Sequence, residues 1–388
     1  MSDSTRAGNS LDEPSFGLAV ASLNTWAIPF ASHAVLSRPR LLASDAIARV
    51  GHPTSTRQVV LCFQEAWAYK CGLALPVLLL ARALEIHCPS LFTTAPTVIF
   101  NPRSLLRSVR RVNSWTTLAA LLCAWLSALL LPMRSLRYDR TKSDIAAEGL
   151  RMGLPFAVGM NGEAGLMAGC NKLLDSGLMM LSSEPPVASG FEAFDPPLSE
   201  ESRANKGMLW AIYPALDRTQ HSPPSPQCAR EHLVVTTHMH ATSQVIRGAQ
   251  RAQLARLVRR LRQRYRPAIV IVCGDMNESS VPLAEQKHDF NGKTLFASTQ
   301  GSDACELSAL HDDMAAIGLQ KLSDDAAGGT CVKDDGSGET DELDHIYAMA
   351  NSDEGLRLSP SFRALPPVRL STSDHFLIHV DGICAYNQ

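Results

Sequence analysis

The chain has 388 residues, 45% of them hydrophobic and 19% charged, enough apolar material to bury a large core as one big domain or two small ones. A formal net charge of −2 gives no global pull toward nucleic acid or an anionic membrane. Ten cysteines stand singly, at 62, 71, 88, 123, 170, 228, 273, 305, 331 and 384, with no C-x-x-C pair; this argues against a zinc cluster or a disulfide frame and for dispersed reduced thiols.

Residues 1–16 are polar and read as a disordered lead-in. With three acids there, no cleaved signal peptide is expected, and the Met-Gly start needed for myristoylation is missing. Gly17–Leu23 reads as a strand ending at Asn24, and Val59–Phe63 as a second, followed by a buried helix over Gly72–Leu84. Ser176–Ser182 reads as a buried strand; Lys206–Tyr213 and Leu233–Thr237 read as consecutive strands. Gln244–Tyr265 is the clearest helix. Ile246, Leu254, Leu257 and Leu261 recur at helical spacing, with arginines crowding the other face. Ala268–Cys273 is another buried strand, Met314–Leu319 a short helix, and Glu342–Tyr347 and Phe376–Val380 late strands. Polar connections are expected at Glu184–Ser189, Asp195–Ser202, Gln220–Gln227, Glu278–Gly301 and Ser323–Thr340.

Trp115–Met133 is nineteen residues without a charge, inside a stretch, Asn101–Lys142, that holds eight bases and one acid, Asp139. Its length could span a bilayer, which takes roughly 20 apolar residues. A single crossing, however, would put Asn24 and Glu65 on one side and Asp275 and His375 on the other. An interfacial or re-entrant helix whose bases meet lipid phosphates fits better, the alternative being a buried helix with solvated arginines.

Five short motifs run through the chain: SLNTW (Ser22–Trp26), QEAW (Gln64–Trp67), THMHA (Thr237–Ala241), CGDMN (Cys273–Asn277) and SDH (Ser373–His375). The first four follow or interrupt apolar, β-rich runs, where strand ends deliver side chains to a common rim. Because candidate residues extend from Asn24 to His375, one domain over 17–388 is expected, with 90–151 as a hydrophobic and basic insertion. Glu65 at a strand end near the core needs a cation, a base or a network; with Asn24 and water it makes a reasonable Mg²⁺ site, the alternative being a cap on the next helix. Asp275 and Asn277 share parity after Gly274, which suits a paired polar site or, taken alone, an Asx turn. His238 and His240 also share parity. A zinc pair there lacks a matching third ligand, so a proton donor or phosphate contact is the better use, the alternative for His240 being a satisfied surface histidine. Asp344 is the natural carboxylate partner for a basic His375, or else a loop acid at a strand start.

These motifs resemble those of the endonuclease/exonuclease/phosphatase superfamily of magnesium-dependent phosphodiesterases. LNTWAIP (Leu23–Pro29), CNKLLDSGLMMLSSEPP (Cys170–Pro186), ANKG (Ala204–Gly207) and THMHA resemble more narrowly segments of the neutral sphingomyelinases, especially the mammalian membrane-bound type. The resemblance runs from about Gly17 onward except Ser90–Arg151. It implies an α/β fold of two packed mixed β-sheets flanked by helices, a four-layer sandwich. It also implies Mg²⁺, with Mn²⁺ able to substitute, held by Glu65 with Asn24, and Asp374 supporting the site. Asp275 and Asn277 would then hold the attacking water and a phosphate oxygen. His375 would be the base oriented by Asp344, and His238 would contact the phosphate or leaving oxygen. Lys206 matches a gating lysine whose acidic partner is an Asp five residues earlier; here that position is Glu201, which puts the gating geometry in doubt. His345 stands where relatives usually have Tyr, and the paired N-terminal hydrophobic segments of the mammalian enzyme are absent.

The expected activity is Mg²⁺-dependent, phospholipase C-type hydrolysis of a sphingophospholipid, sphingomyelin giving ceramide and phosphocholine. The expected partners are the sphingolipid and an anionic membrane surface, and the expected location is intracellular and membrane-associated. Rival readings are a nuclease of the same superfamily, with the arginines of Gln244–Tyr265 tracking phosphates, and a membrane-binding scaffold without turnover.

Overall fold

The computed structural model describes residues 17–25, 38–66, 141–160, 175–195, 204–215, 231–241, 243–278, 306–323, 329–332, 340–360, 362–370 and 373–387. The elements run β1 (Gly17–Asn24), α1 (Arg38–Val50), β2 (Arg57–Gln64), α2 (Thr141–Arg151), β3 (Phe156–Val158), β4 (Met179–Ser182), β5 (Ala188–Ala193), β6 (Gly207–Tyr213), β7 (His232–His238) and α3 (Gln244–Tyr265). They continue with β8 (Ile269–Asp275), α4 (Glu306–Ala315), β9 (Gln320–Lys321), β10 (Cys331–Val332), β11 (Thr340–Asp341), β12 (Asp344–Ala350), β13 (Leu356–Leu358), β14 (Arg363–Arg369), β15 (Phe376–Ile383) and β16 (Ala385–Asn387).

Two six-stranded mixed sheets result, in the orders β14-β15-β1-β2-β4-β3 and β5-β6-β7-β8-β12-β9. Each contains one parallel pair, β1/β2 and β7/β8, whose crossovers carry α1 and α3 respectively. Parallel strands need such a crossover, and they deliver their C-terminal ends to the same edge.

Period-two alternation explains the layering. Leu18 and Val20 of β1, Val60 and Cys62 of β2, Val234 of β7, Ile269, Ile271 and Cys273 of β8 and Ile346 and Ala348 of β12 fill the space between the sheets. The alternate residues Ala19, Ala21, Leu23, Val59, Leu61 and Phe63 face outward and pack with Leu42, Ala46 and Ile47 of α1 and Ile145 of α2. On the other side Leu233, Val235, Val270, Val272 and Tyr347 meet Leu254, Leu257, Val258 and Leu261 of α3 and Leu310 and Met314 of α4. Helix, sheet, sheet, helix is the four-layer arrangement expected from the sequence.

Several elements differ from the sequence expectation. The strand over Ser176–Ser182 begins only at Met179, because Asp175 and Ser176 side chains accept the Gly177 and Leu178 N–H groups in a tight turn. The connection expected at Glu184–Ser189 already enters β5 at Ala188. That at Ser323–Thr340 contains β10 and the start of β11. The helix expected over Met314–Leu319 is α4, which ends at Ala315; Ile317 and Leu319 are buried by the turn that follows, through Gly318 at φ +86°. Two arginines of α3, Arg247 and Arg251, lie on its buried face with Gln250.

Thr141–Arg151, assigned to the insertion, is a helix with Ile145 in the outer core, so this stretch belongs to the scaffold. The helix expected over Gly72–Leu84, the apolar run Trp115–Met133 and Glu201 lie outside the described residues. Among the described residues, no helix is long and apolar enough to cross a membrane.

Candidate active site

The inward-facing rows of the two sheets turn polar toward one end. After Leu18 and Val20 come Ser22 and Asn24; after Val60 and Cys62 comes Gln64; after Val234 come Thr236 and His238; after Cys273 comes Asp275; Ile346 is preceded by Asp344. The Gln64 amide donates to Thr236 Oγ1 at 2.9 Å and Ser22 Oγ at 3.1 Å, so one polar layer ties the sheets together beneath the site. Above it, four of the five motifs meet without further help from loops. Glu65 joins them by leaving the strand in a left-handed turn, φ +55°, and Asn277 does the same at φ +52°. Left-handed backbone is uncommon for such residues and clusters where function over-determines it.

Gly274 makes the close approach of β7 and β8 possible. A Cβ there would lie 2.1 Å from the Thr237 carbonyl oxygen, and its φ is +138°. Only glycine fits beside that carbonyl, and it is this contact that brings His238 and Asp275 into register.

The Asn24 amide nitrogen bridges two carboxylates, donating to Asp275 Oδ2 at 2.8 Å and to Glu65 Oε1 at 3.3 Å. His238 Nε2 stands 3.6 Å from Asp275 Oδ2 and 3.7 Å from Glu65 Oε1. His375 Nε2 stands 3.8 Å from the same Asp275 oxygen, while its Nδ1 pairs with Asp344 Oδ2 at 2.7 Å. Lys206 donates to the Met239 carbonyl at 2.7 Å and lies 3.3 Å from His238 Nε2. Asn277 donates its side-chain amide to Met239 O at 3.1 Å, and its backbone N–H goes to Asp275 Oδ1 at 2.9 Å. Both readings of the G-D-x-N run therefore coexist: the Asx turn is formed, and it is part of the site. Asp374 is half-buried beside His375, whose N–H its Oδ1 accepts at 3.1 Å.

Burial raises Glu65 to about 7, with the charges of His375 and Lys206 acting against it. Burial likewise raises Asp275 to about 6, with His375 opposing and Asp344 adding to the rise. His238 is pushed well below the ordinary histidine value by burial, then by Lys206 and His375, so it is neutral. Burial would also depress His375, but the charge and hydrogen bond of Asp344 reverse this and raise it well above the ordinary value.

A cation fits this chemistry at Glu65. Its Oε2 is buried with no hydrogen-bond partner among the described residues, an arrangement that is costly without a positive partner. Asn24 presents its amide nitrogen to the carboxylates, so it would serve a cation only with the amide turned to offer oxygen. Asp275, Asp344 and His375 also bring ligand-type atoms within 4.8 Å of one another. There the direct His375–Asp344 hydrogen bond makes them an acid–base unit first.

Three sets of residues that were given no role in the sequence reading hold the site together. Ser373 Oγ donates to the Asn24 carbonyl at 2.8 Å and accepts the His375 N–H at 3.1 Å, joining the two ends of the chain. Thr330 Oγ1 accepts from the N–H of Leu343 and of Asp344, both at 2.9 Å. Third, Arg247 donates to the His240 and Ala241 carbonyls at 2.9 and 3.0 Å, while Gln250 accepts the His240 N–H at 2.8 Å. Glu278, fully buried, faces Arg247 at 3.5 Å and pairs with Arg251, which also meets Asp313 at 2.5 Å. His240 is thus not a surface residue; it is buried, and its Nδ1 accepts the Ser243 N–H at 3.0 Å. The arginine spacing on α3 was the available clue, since Arg247, Gln250, Arg251 and Leu254 recur on one helical face.

No protein-family model matches the chain, and no curated protein sequence does so. Solved structures do. An endonuclease/exonuclease/phosphatase from Beutenbergia cavernae superposes with a TM-score of 0.50 at 13% identity, covering 94% of this chain and 71% of that one. Sphingomyelinase C from Streptomyces griseocarneus gives 0.49 at 14% identity, covering 95% and 99%. A double mutant of beta toxin from Staphylococcus aureus, crystallised with bound magnesium ions, gives 0.48 at 12% identity, covering 96% and 100%. The two six-stranded mixed sheets between helices are the fold of the endonuclease/exonuclease/phosphatase proteins.

Proposed function

We propose that the chain is a Mg²⁺-dependent phosphodiesterase that cuts a sphingophospholipid at its lipid-side P–O bond, with sphingomyelin giving ceramide and phosphocholine. One observation carries the hydrolase reading: Asn24, Glu65, His238, Asp275 and the His375–Asp344 pair, spread over some 350 residues of sequence, meet at one polar rim. The lipid part of the reading rests on the resemblance of LNTWAIP, the 170–186 stretch, ANKG and THMHA to the neutral sphingomyelinases of the membrane-bound type.

In this reading Glu65, with Asn24 and Asp374 assisting, holds Mg²⁺, or Mn²⁺ in its place. The bound ion supplies the charge that a pentacoordinate phosphorane needs neutralised. His375 accepts the proton of the attacking water as its oxygen bonds to phosphorus, and Asp344 fixes the tautomer and stabilises the imidazolium. Asp344 makes His375 hold its proton tightly; a cation held by Glu65 would lower that affinity and favour the imidazole as a base. Asp275 and Asn277 orient the water and a phosphate oxygen. Lys206 and His238 face the remaining phosphate oxygens and the departing lipid oxygen.

Four of the seven arginines of α3 are engaged within the protein and give little support to a nuclease reading, while Arg256, Arg259 and Arg264 are exposed. Arg247 and Arg251 are buried in ion pairs, Arg260 pairs with Glu192, and Arg262 lies 3.5 Å from Asp353. The test is phosphocholine release from sphingomyelin in mixed micelles with Mg²⁺, with EDTA, and with His375→Ala in Mg²⁺. Release that needs both the metal and His375 supports the proposal. No release, with cleavage on a parallel DNA and RNA panel, would transfer the same site to nucleic acid.

A further inference from the structure

We propose that Cys331, Asp374 and His375 form a second cation site, suited to a borderline-soft ion such as Zn²⁺, and that its occupation halts catalysis by taking His375. The halting effect rests on the hydrolase reading above; the binding does not.

The geometry begins with the backbone. Cys331 and His375 face each other in an isolated antiparallel bridge. It is flanked by Val332 N–H to Asp374 O at 3.0 Å and Phe376 N–H to Thr330 O at 2.6 Å. Residues directly opposite in such a bridge project to the same side, so the thiol and imidazole are brought together by main-chain pairing rather than by chance rotamers. The Cys331 thiol donates to the Val332 carbonyl at 3.6 Å. The Cys331 sulfur, an Asp374 carboxylate oxygen and a His375 ring nitrogen all lie within 4.8 Å of one another. Tetrahedral zinc with N, O and S ligands at 2.0–2.3 Å needs donor separations of roughly 3.3–3.8 Å. Small side-chain rotations close the difference.

Donor type decides the ion. Mg²⁺ takes oxygen and keeps several waters, whereas a thiol with an imidazole and one carboxylate is a set that Zn²⁺ favours, with water as the fourth ligand. Asp344, already on one nitrogen of His375, supplies the outer carboxylate that commonly orients a zinc-binding histidine. Asp275 and Asp344 add negative potential around the group, and Asp374 is half-buried, open enough to admit an ion from solvent. The soft site shares His375 and the assisting Asp374 with the catalytic site but not Glu65 or Asn24, so a hard and a soft cation would be told apart at Glu65 and Cys331.

The experiment titrates Zn²⁺ into full-length metal-free protein by calorimetry, comparing wild type with Cys331→Ser and Asp374→Asn, with Mg²⁺ as the hard-ion control. Removing one of three ligands should weaken the tightest Zn²⁺ event roughly 10- to 100-fold. With Co²⁺ in place of Zn²⁺, wild type should give a thiolate-to-metal charge-transfer band that Cys331→Ser lacks. Equal Zn²⁺ affinity in wild type and both variants, or a cobalt band that persists in Cys331→Ser, overturns the site. Should Cys331→Ser not fold, judged by circular dichroism, Asp374→Asn and the cobalt spectrum of wild type still decide. Micromolar Zn²⁺ should then inhibit Mg²⁺-supported hydrolysis by wild type and leave Cys331→Ser at its own zinc-free rate. Zinc binding at Cys331 in a protein that hydrolyses no phosphodiester would sink the proposed function and leave this site standing.

Discussion

Glu65 carries the sharpest residue-scale consequence. Its backbone is left-handed, its side chain is buried, and one carboxylate oxygen has no hydrogen-bond partner among the described residues. Burial raises its pKa from 4.5 to about 7. A carboxyl group with a raised folded-state value costs nothing below its unfolded value; it destabilises increasingly as pH climbs from about 4.5, reaching its full cost above about 7, about 3 kcal/mol here. A cation on the ionised group removes that cost. We therefore expect Mg²⁺ to raise Tm more at pH 8 than at pH 6, and Glu65→Gln to abolish the difference; scanning calorimetry at the two pH values decides. A magnesium shift independent of pH would move the ion away from Glu65. At the acid–base unit, Asp344→Asn should lower kcat by roughly 10²- to 10⁴-fold. It should also move the acid limb of the pH–rate profile downward, since burial then acts on His375 without the opposing carboxylate. A large loss of rate with an unmoved limb would count against Asp344 as the partner that sets the basicity of His375.

At the scale of elements, α3 is both a wall of the core and a clamp. Its lower turns bury Leu254, Leu257, Val258 and Leu261 against sheet residues. Its first turns put Arg247 and Gln250 on the loop after β7, and Arg247 and Arg251 on Glu278 after β8. The two loops that follow His238 and Asp275 are thus fixed by one helix. Glu278→Gln leaves two buried guanidinium groups poorly compensated and should cost about 3–5 kcal/mol by urea denaturation. A loss below about 1 kcal/mol would mean that water, not Glu278, solvates those arginines. Legibility in the sequence divided along this same line. Strand rows were readable because alternation is local: β1, β2, β7 and β8 lie within a residue or two of their expected bounds. So was α3, whose apolar spacing sustains itself over 22 residues. The arginines on its inner face were assigned to solvent because their partner, Glu278, is 27 residues from Arg251. The motif residues from Asn24 to His375 were found one by one in the sequence. Thr330 and Cys331 had nothing local to mark them, and Ser373, although inside the SDH motif, had no role assigned, since their roles are contacts to distant strands.

At the scale of the molecule, acid stability has an identifiable contributor outside the rim. His379 of β15 is buried; burial lowers it to about 4, with Asp381 opposing and Arg57 reinforcing. A histidine whose folded-state value is depressed stabilises fully above its unfolded value of about 6.5 and loses that contribution as pH falls toward 4. We expect unfolding free energy from urea titrations to drop between pH 6.5 and 4, and the drop to shrink in His379→Gln. An unchanged slope would assign the acid transition elsewhere.

The turn at Asp175–Gly177 has one more property. Ala66, the residue after Glu65, donates its N–H to the Gly177 carbonyl at 2.8 Å. Lys142 pairs with Asp175 at 2.6 Å, both side chains almost wholly buried. Ala66, just before residues 67–140, and Lys142, just after them, are therefore both tied to this turn next to Glu65. Where the flanks of a long segment share one anchor, closing the segment costs little, because closure entropy rises only slowly with length. Such a loop can be shortened, and Trp115–Met133 should be removable without unfolding the scaffold. Its described flanks lie beside Glu65, so we expect binding by the segment to be felt at the site. On vesicles, we expect the intact chain to hydrolyse many lipids before it hops to another bilayer. The shortened chain should keep its rate on detergent-dispersed substrate and lose that processivity, read as hydrolysis spreading to fresh vesicles added late. Equal losses on both substrates would mean that the loop is a strut of the fold and not its mooring line.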